Sequence, residues 1–197
     1  MEIRAIDNFL SGDNFNEVFI YCRNATYLYG EVDEVENIGN DCFCVGMVHQ
    51  MYPIHHFEGK NAEIENRNKI VDLISKECKS QFPEIEDYDL TRMYVNCFAP
   101  CENPYFHIDS DLPDLKSYTC LLYVNDKWNL DDGGETQFYV NDIIYGVPPE
   151  PNRMVLFDGR IEHRATSFRN RHRFTIALKY NIPIVCDNSE TGPETCA

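Results

Sequence analysis

Positive charge is scarce in this chain. Lys and Arg number 17 against 33 Asp and Glu, a formal net charge of −16 over 197 residues. So acidic a surface repels phosphate backbones and anionic headgroups, which argues against general nucleic-acid or membrane-surface binding. Long apolar runs are missing too, and nothing approaches the roughly 20 residues of a transmembrane helix. Met1 to Asp7 carries acids and no apolar stretch, so no secretory leader is expected and a cytoplasmic location is. Paired CxxC spacings are absent. Cys42-x-Cys44 and Cys97-x3-Cys101 do not build a four-cysteine zinc site. The nine cysteines are odd in number, and a reducing compartment with mostly free thiols is expected.

Core-forming residues are plentiful. Hydrophobic residues make up 43%, with 12 Tyr and 12 Phe, enough for a core, so a folded chain is expected rather than a disordered one, and strands are favoured. The length suits one domain, with helical support over about 1–90 and a β domain over about 91–182 within a unit of 1–186. A polar tail, 187–197, follows. Ser11-Gly12-Asp13 supplies a helix cap. Phe15, Val18, Phe19 and Cys22 then recur at helical spacing, as do Ile64, Ile70, Val71, Ile74 and Cys78. The segment 24–40 reads as loop and short strand, and the apolar segment 42–52 fits strand or helix. After residue 90 short runs alternate with turns such as Asp131-Asp132-Gly133-Gly134, the pattern of a sandwich or barrel.

Three residues point to a metal. His107 and Asp109 stand two apart, so on an extended chain both project to one face. His163 follows the apolar run Met154 to Phe157 and a turn at Asp158-Gly159. Two His and one carboxylate on one face of a metal leave three positions open, the facial triad of non-haem iron oxygenases. Arg173 begins the run Arg173 to Tyr180, in which Arg173, Thr175 and Ala177 share a face. Small residues beside an Arg leave room for a ligand, and guanidinium grips carboxylate in bidentate fashion. Arg173 also closes a local positive island: residues 160–173 hold five arginines and one acid, Glu162. Arg164, Arg169 and Arg171 read as a solvated loop.

At these residues the sequence resembles the prolyl 4-hydroxylase family of 2-oxoglutarate oxygenases. His107-Ile108-Asp109 is similar to its HxD, and Gly133 to Phe138 to its GGxTxF. Leu121 to Trp128 is similar to its tyrosine-bearing strand, and Ile6 to Ser11 to its opening. The resemblance runs from about residue 3 to 182 and is specific from 94 to 180. It implies an α+β, mainly β fold, a double-stranded β-helix (jelly roll, cupin-like) with supporting N-terminal helices. It further implies Fe(II) on His107, Asp109 and His163, and O2 and 2-oxoglutarate as cosubstrates, with ascorbate as a reductant. Arg173 would hold the far carboxylate of 2-oxoglutarate, Tyr123 would assist, and Tyr94 would replace a tyrosine that this chain lacks at Phe98. The carboxylate of Asp109 favours hydroxylation over halogenation. The implied activity is hydroxylation of a peptidyl proline, with free amino acids or small metabolites as other substrates. A bacterial or viral source is expected; the oligomeric state is not readable. The loop 24–40 or the stretch 110–117 would serve as a lid.

Other classes remain. A nucleic-acid demethylase of this type carries RxNxTxR, which Arg173 to Lys179 does not fit. A non-catalytic jelly roll binding metal or 2-oxoglutarate is a second alternative, and a cupin-like zinc or manganese hydrolase a third. The third has no need of Arg173 or Tyr123. His49, His55, His56 and His172 read as structural or surface residues.

Overall fold

The computed structural model describes residues 3–32, 45–53, 61–110 and 115–183. Ten strands and two helices run in the order β1 (Arg4–Ile6), α1 (Gly12–Asn24), β2 (Leu28–Val32), β3 (Val45–Tyr52), α2 (Asn61–Gln81), β4 (Asp89–Phe98), β5 (Ser117–Tyr123), β6 (Thr136–Val140), β7 (Ile143–Val147), β8 (Met154–Asp158), β9 (Glu162–Ala165) and β10 (Arg173–Asn181). Seven strands form one sheet in the order β1-β8-β5-β10-β4-β3-β2, and β7-β6-β9 form a second. All named pairings are antiparallel. This is the mainly β arrangement with two supporting helices that the strand pattern and the resemblance imply.

Alternation along the strands divides the core in two. One face of the large sheet presents Met93, Val95, Cys120, Leu122, Ile176 and Leu178 to the helices. Against it pack Val18 and Cys22 of α1 and Ile70, Ile74 and Cys78 of α2, the apolar stripes seen in the sequence. Ser11 caps α1, its hydroxyl accepting from the Asn14 amide at 3.4 Å. The other face turns Tyr94, Leu121, Tyr123 and Ala177 toward Phe138 of the small sheet. β8 is buried along its whole length because both its faces are covered.

The ambiguous segment 42–52 resolves as strand from Val45, and β1, β2 and β3 all join the large sheet, so the N-terminal half supplies strands as well as helices. Residues 33–44 and 111–114, which carry parts of both expected lid segments, lie outside the described residues, as do His55, His56 and the tail. Gly133 and Gly134 take φ of +79° and +82°, a turn that side chains disfavour. A Cβ on Gly134 would stand 2.9 Å from the Trp128 ring, so Trp128 packs this turn and its indole donates to the Gly133 carbonyl at 2.9 Å. The described cysteines, Cys22, Cys78, Cys97, Cys101 and Cys120, are free thiols, and all but Cys101 are buried. Among the described residues no helix is long and apolar enough to cross a membrane.

Candidate active site

Between the two sheets lies a cavity of about 240 Å³. Its floor is the inner face of β10, where residues 173, 175, 177 and 179 project together because side chains alternate along a strand. Across β4 these face Phe98, Asn96, Tyr94 and Arg92 in turn. Across β5, Lys179 faces Thr119 and Ala177 faces Leu121.

His107, Asp109 and His163 converge on this cavity. Each offers one ligand atom, and these atoms lie within 4.8 Å of one another. Backbone pairing brings the two histidines together: the His107 amide donates to the His163 carbonyl at 3.1 Å, and the His163 amide donates back at 2.9 Å. Each Nδ1 meets a carbonyl two residues upstream, Tyr105 at 3.1 Å and Ile161 at 2.9 Å. A carbonyl only accepts, so each Nδ1 carries the proton and each Nε2 lone pair is left for a metal. Burial, aided by the neighbouring His163, pushes the His107 imidazole down to about 4, so it is neutral at pH 7.

Asp109 is placed by its own amide, which donates to the Gly159 carbonyl at 2.8 Å. Burial opposes its ionisation. Lys179 and the two imidazoles outweigh that and hold the carboxyl well below the usual range. Oδ2 accepts from the Thr119 hydroxyl at 2.7 Å and pairs with the Lys179 ammonium. Oδ1 stands 3.7 Å from His107 Nε2.

Arg173 is 2% exposed at the closed end of the cavity. Its guanidinium donates to Thr136 Oγ1 at 2.9 Å, yet its Nε has no partner, and nor has the buried Thr175 hydroxyl beside it. No carboxylate among the described residues pairs with Arg173. Burial lowers its pKa, the signature of a cation held out of water. A buried cation with unused donors is costly alone and is satisfied by an anion. The donor set therefore fits both groups that the resemblance implies: a divalent iron at two imidazoles and a carboxylate, and a ligand carboxylate at Arg173.

Tyr123 stands behind Thr136, donating to its Oγ1 at 2.7 Å, with the Arg173 guanidinium 5.3 Å from its ring centre. Tyr94 is not brought to Arg173. It faces Ala177, beside Lys179 and under the Arg92 guanidinium, whose carbon lies 4.2 Å from the ring centre. His49 is buried away from the cavity on Tyr21 and Thr26, a structural role. Lys179, Thr119 and Thr136 escaped the sequence reading as site residues. Lys179 shares the parity of Arg173, Thr175 and Ala177, and following that parity two residues further would have found it.

An antiparallel β fold that brings two His and one Asp into one cavity with a buried arginine has the donor set of a non-haem iron oxygenase site. Residues 94–180 match the 2OG-Fe(II) oxygenase superfamily. No curated protein matches the chain significantly by sequence. Among solved structures, it is similar to a Trichoplax adhaerens prolyl hydroxylase solved with a hypoxia inducible factor peptide, at 21% identity and TM-score 0.65 over 91% of this chain and 83% of that one. It is also similar to a viral collagen prolyl hydroxylase of Paramecium Bursaria Chlorella virus-1, solved with 2-oxoglutarate, at 16% identity and TM-score 0.60 over 93% and 97%. A Burkholderia pseudomallei oxidoreductase of the same oxygenase family gives TM-score 0.72 at 11% identity over 92% and 85%. The family match spans residues 94–180, the part of the chain that carries the triad and Arg173, and with that site it supports a dioxygenase using Fe(II), 2-oxoglutarate and O2; the solved prolyl hydroxylases share its fold.

Proposed function

We propose that this dioxygenase hydroxylates an unactivated C–H bond of a peptidyl proline and releases succinate and carbon dioxide. The observation that carries the reading is the pairing, in one cavity, of the His107-Asp109-His163 triad with a buried Arg173 that lacks an anionic partner among the described residues. The prolyl hydroxylases among its structural relatives supply the substrate class.

Within this reading each side chain has a part. His107, Asp109 and His163 hold iron through Nε2, a carboxylate oxygen and Nε2. Arg173 holds the far carboxylate of 2-oxoglutarate, and Tyr123 steadies Arg173 through Thr136. Tyr94 serves the Lys179 end of the cavity rather than the Arg173 end. Leu121 and Phe157 wall the cavity with apolar surface and exclude water, and Phe138 packs against Phe157. The bound iron, cosubstrate and O2 supply the oxidising power for oxygen insertion. The free thiols support a reducing, cytoplasmic setting.

The test begins with anaerobic titration of the apo protein with Fe(II) and 2-oxoglutarate, reading the visible charge-transfer band of the chelate. The band forms in the wild type, is lost in Asp109→Ala and is weakened in Arg173→Ala. Proline-containing peptides incubated in air then gain one oxygen atom, matched by succinate release. A folded, metal-binding protein without the band leaves the non-catalytic reading in its place.

A further inference from the structure

The cavity has a second cationic end. Exposure rises along the inner face of β10, from buried Arg173, Thr175 and Ala177 to the partly open Lys179 and Asn181. Thr91 and Arg92, across from this end on β4, are exposed and line the same cavity. The opening through which a substrate enters therefore lies at Lys179 and Arg92. Two cations at the mouth are conspicuous in a chain of net charge −16.

The charges of the loaded site leave Lys179 over. This step rests on the oxygenase reading. The two charges of ferrous iron and the one of Arg173 are matched by Asp109 and the two carboxylates of 2-oxoglutarate. Lys179, its side chain only 12% exposed, has Asp109 as its one carboxylate among the described residues. Asp109 is also a metal ligand. Once its charge is shared with iron, the ammonium faces a cavity with no other anion among the described residues, and a buried unpaired charge is strongly disfavoured.

We propose that Lys179, with Arg92 at the rim, receives a carboxylate of the substrate that is hydroxylated. The ammonium touches a ligand of the metal, so the carboxylate it receives lies close to the reacting C–H bond. On a peptidyl proline the carboxylate belongs to an acidic side chain next to it or, where the proline is C-terminal, to the reacting residue itself. Lys179 is thus a specificity-determining residue, and neutral substrates of the same shape bind less well.

The test uses the full chain loaded anaerobically with Fe(II) and saturating 2-oxoglutarate, and it reads binding rather than turnover. Two pairs of probes are titrated against the charge-transfer band: N-acetylproline with N-acetylprolinamide, and hexanoate with hexanamide. The first pair puts the carboxylate on a proline ring, the second on a linear chain. In at least one pair the acid binds about tenfold more tightly than the amide. That preference disappears in Lys179→Met and persists in Lys179→Arg. Acid and amide that bind alike in both pairs, or that both fail to bind, overturn the proposal, as does a preference that survives Lys179→Met. The band is recorded for every variant. A band lost in Lys179→Met and kept in Lys179→Arg, without acid preference in the wild type, assigns Lys179 to the positioning of Asp109 instead. A wild-type band that never forms defeats the oxygenase reading before any probe is added, and the proposal falls with it.

Discussion

Tyr123 and Arg173 donate to the same atom: the phenol stands 2.7 Å and the guanidinium 2.9 Å from Oγ1 of Thr136. One hydroxyl thus orients the two residues nearest the closed end of the cavity. Thr136→Val keeps the shape and removes the acceptor, leaving the Arg173 donor short of a partner and Tyr123 only the Val147 carbonyl at 3.3 Å. Stability falls by about 1–3 kcal/mol, and 2-oxoglutarate binds more weakly. Thr136→Ser retains the oxygen and recovers most of both. Urea unfolding and 2-oxoglutarate titration of the Fe(II) protein check this. A Thr136→Val protein with wild-type cosubstrate affinity would show that Arg173 is held by other means.

Arg173 itself separates geometry from charge. Arg173→Lys keeps a cation in the cavity but loses the planar fork that grips a carboxylate with two parallel bonds. Arg173→Ala loses both. Truncating one partner of a buried charge pair costs about 2–5 kcal/mol of binding. The expected order of 2-oxoglutarate affinity is therefore wild type, then Lys, then Ala. Calorimetry with Mn(II) in place of Fe(II) reads it without turnover. Equal affinities in all three would place the cosubstrate's carboxylate elsewhere.

Gly159 sits against Asp109, one of the three proposed metal ligands. Its carbonyl accepts from the amides of Asp109 and Ser110 at 2.8 and 3.2 Å. A Cβ at this position would stand 2.5 Å from Ser117 Oγ and 3.7 Å from Asp109 Cβ. Gly159→Ala must therefore push Ser117 or its own backbone away, and the backbone is what holds Asp109. Overpacking of this kind costs about 1–3 kcal/mol. Metal affinity is expected to fall with stability. The double variant Gly159→Ala, Ser117→Gly, which removes the obstructing hydroxyl, regains part of both. Spectroscopic titration with Co(II) and thermal unfolding measure the two effects.

The parts of this site that the sequence displays are those whose chemistry is unusual. His107 and Asp109 at spacing two, His163 after a buried strand and Arg173 beside small residues each have few other uses in that setting. Lys179 is different: a lysine near the end of a strand reads as solvated surface, although its parity with Arg173, Thr175 and Ala177 points it inward, as the register across to Thr119 and Arg92 bears out. Tyr94 was visible as an aromatic on a strand. Its distance from Arg173 was not, because that depends on Phe98 and not Tyr94 standing opposite the arginine. The segment from Val45 to Tyr52 is apolar on both parities, so periodicity alone could not choose strand over helix; its pairing with β2 and β4 does. The helices were legible from their apolar stripes because each buries only one face.

His49 gives the fold a pH-sensitive element remote from the metal site. It is 7% exposed; its Nδ1 meets the Thr26 carbonyl at 2.8 Å and its Nε2 the Tyr21 hydroxyl at 2.8 Å. The carbonyl fixes the proton on Nδ1, so Nε2 accepts from Tyr21, and a second proton there would reverse that bond and leave a charge in a buried place. Burial lowers the His49 pKa, nearby Arg67 lowers it further, and the Thr26 bond pulls the other way. The folded chain thus resists a proton that the unfolded chain accepts near the usual value of about 6.5. The neutral imidazole's contribution is complete above that value. It is lost as pH falls from there toward the lowered folded value, because the unfolded state then binds more protons. His49→Gln does not titrate. The stability difference between wild type and His49→Gln should therefore be largest above roughly pH 7.5 and shrink steadily toward about pH 5. Urea unfolding of both proteins across that range measures it. A difference independent of pH would mean that His49 keeps its ordinary proton affinity in the folded chain, and that its burial is relieved by water.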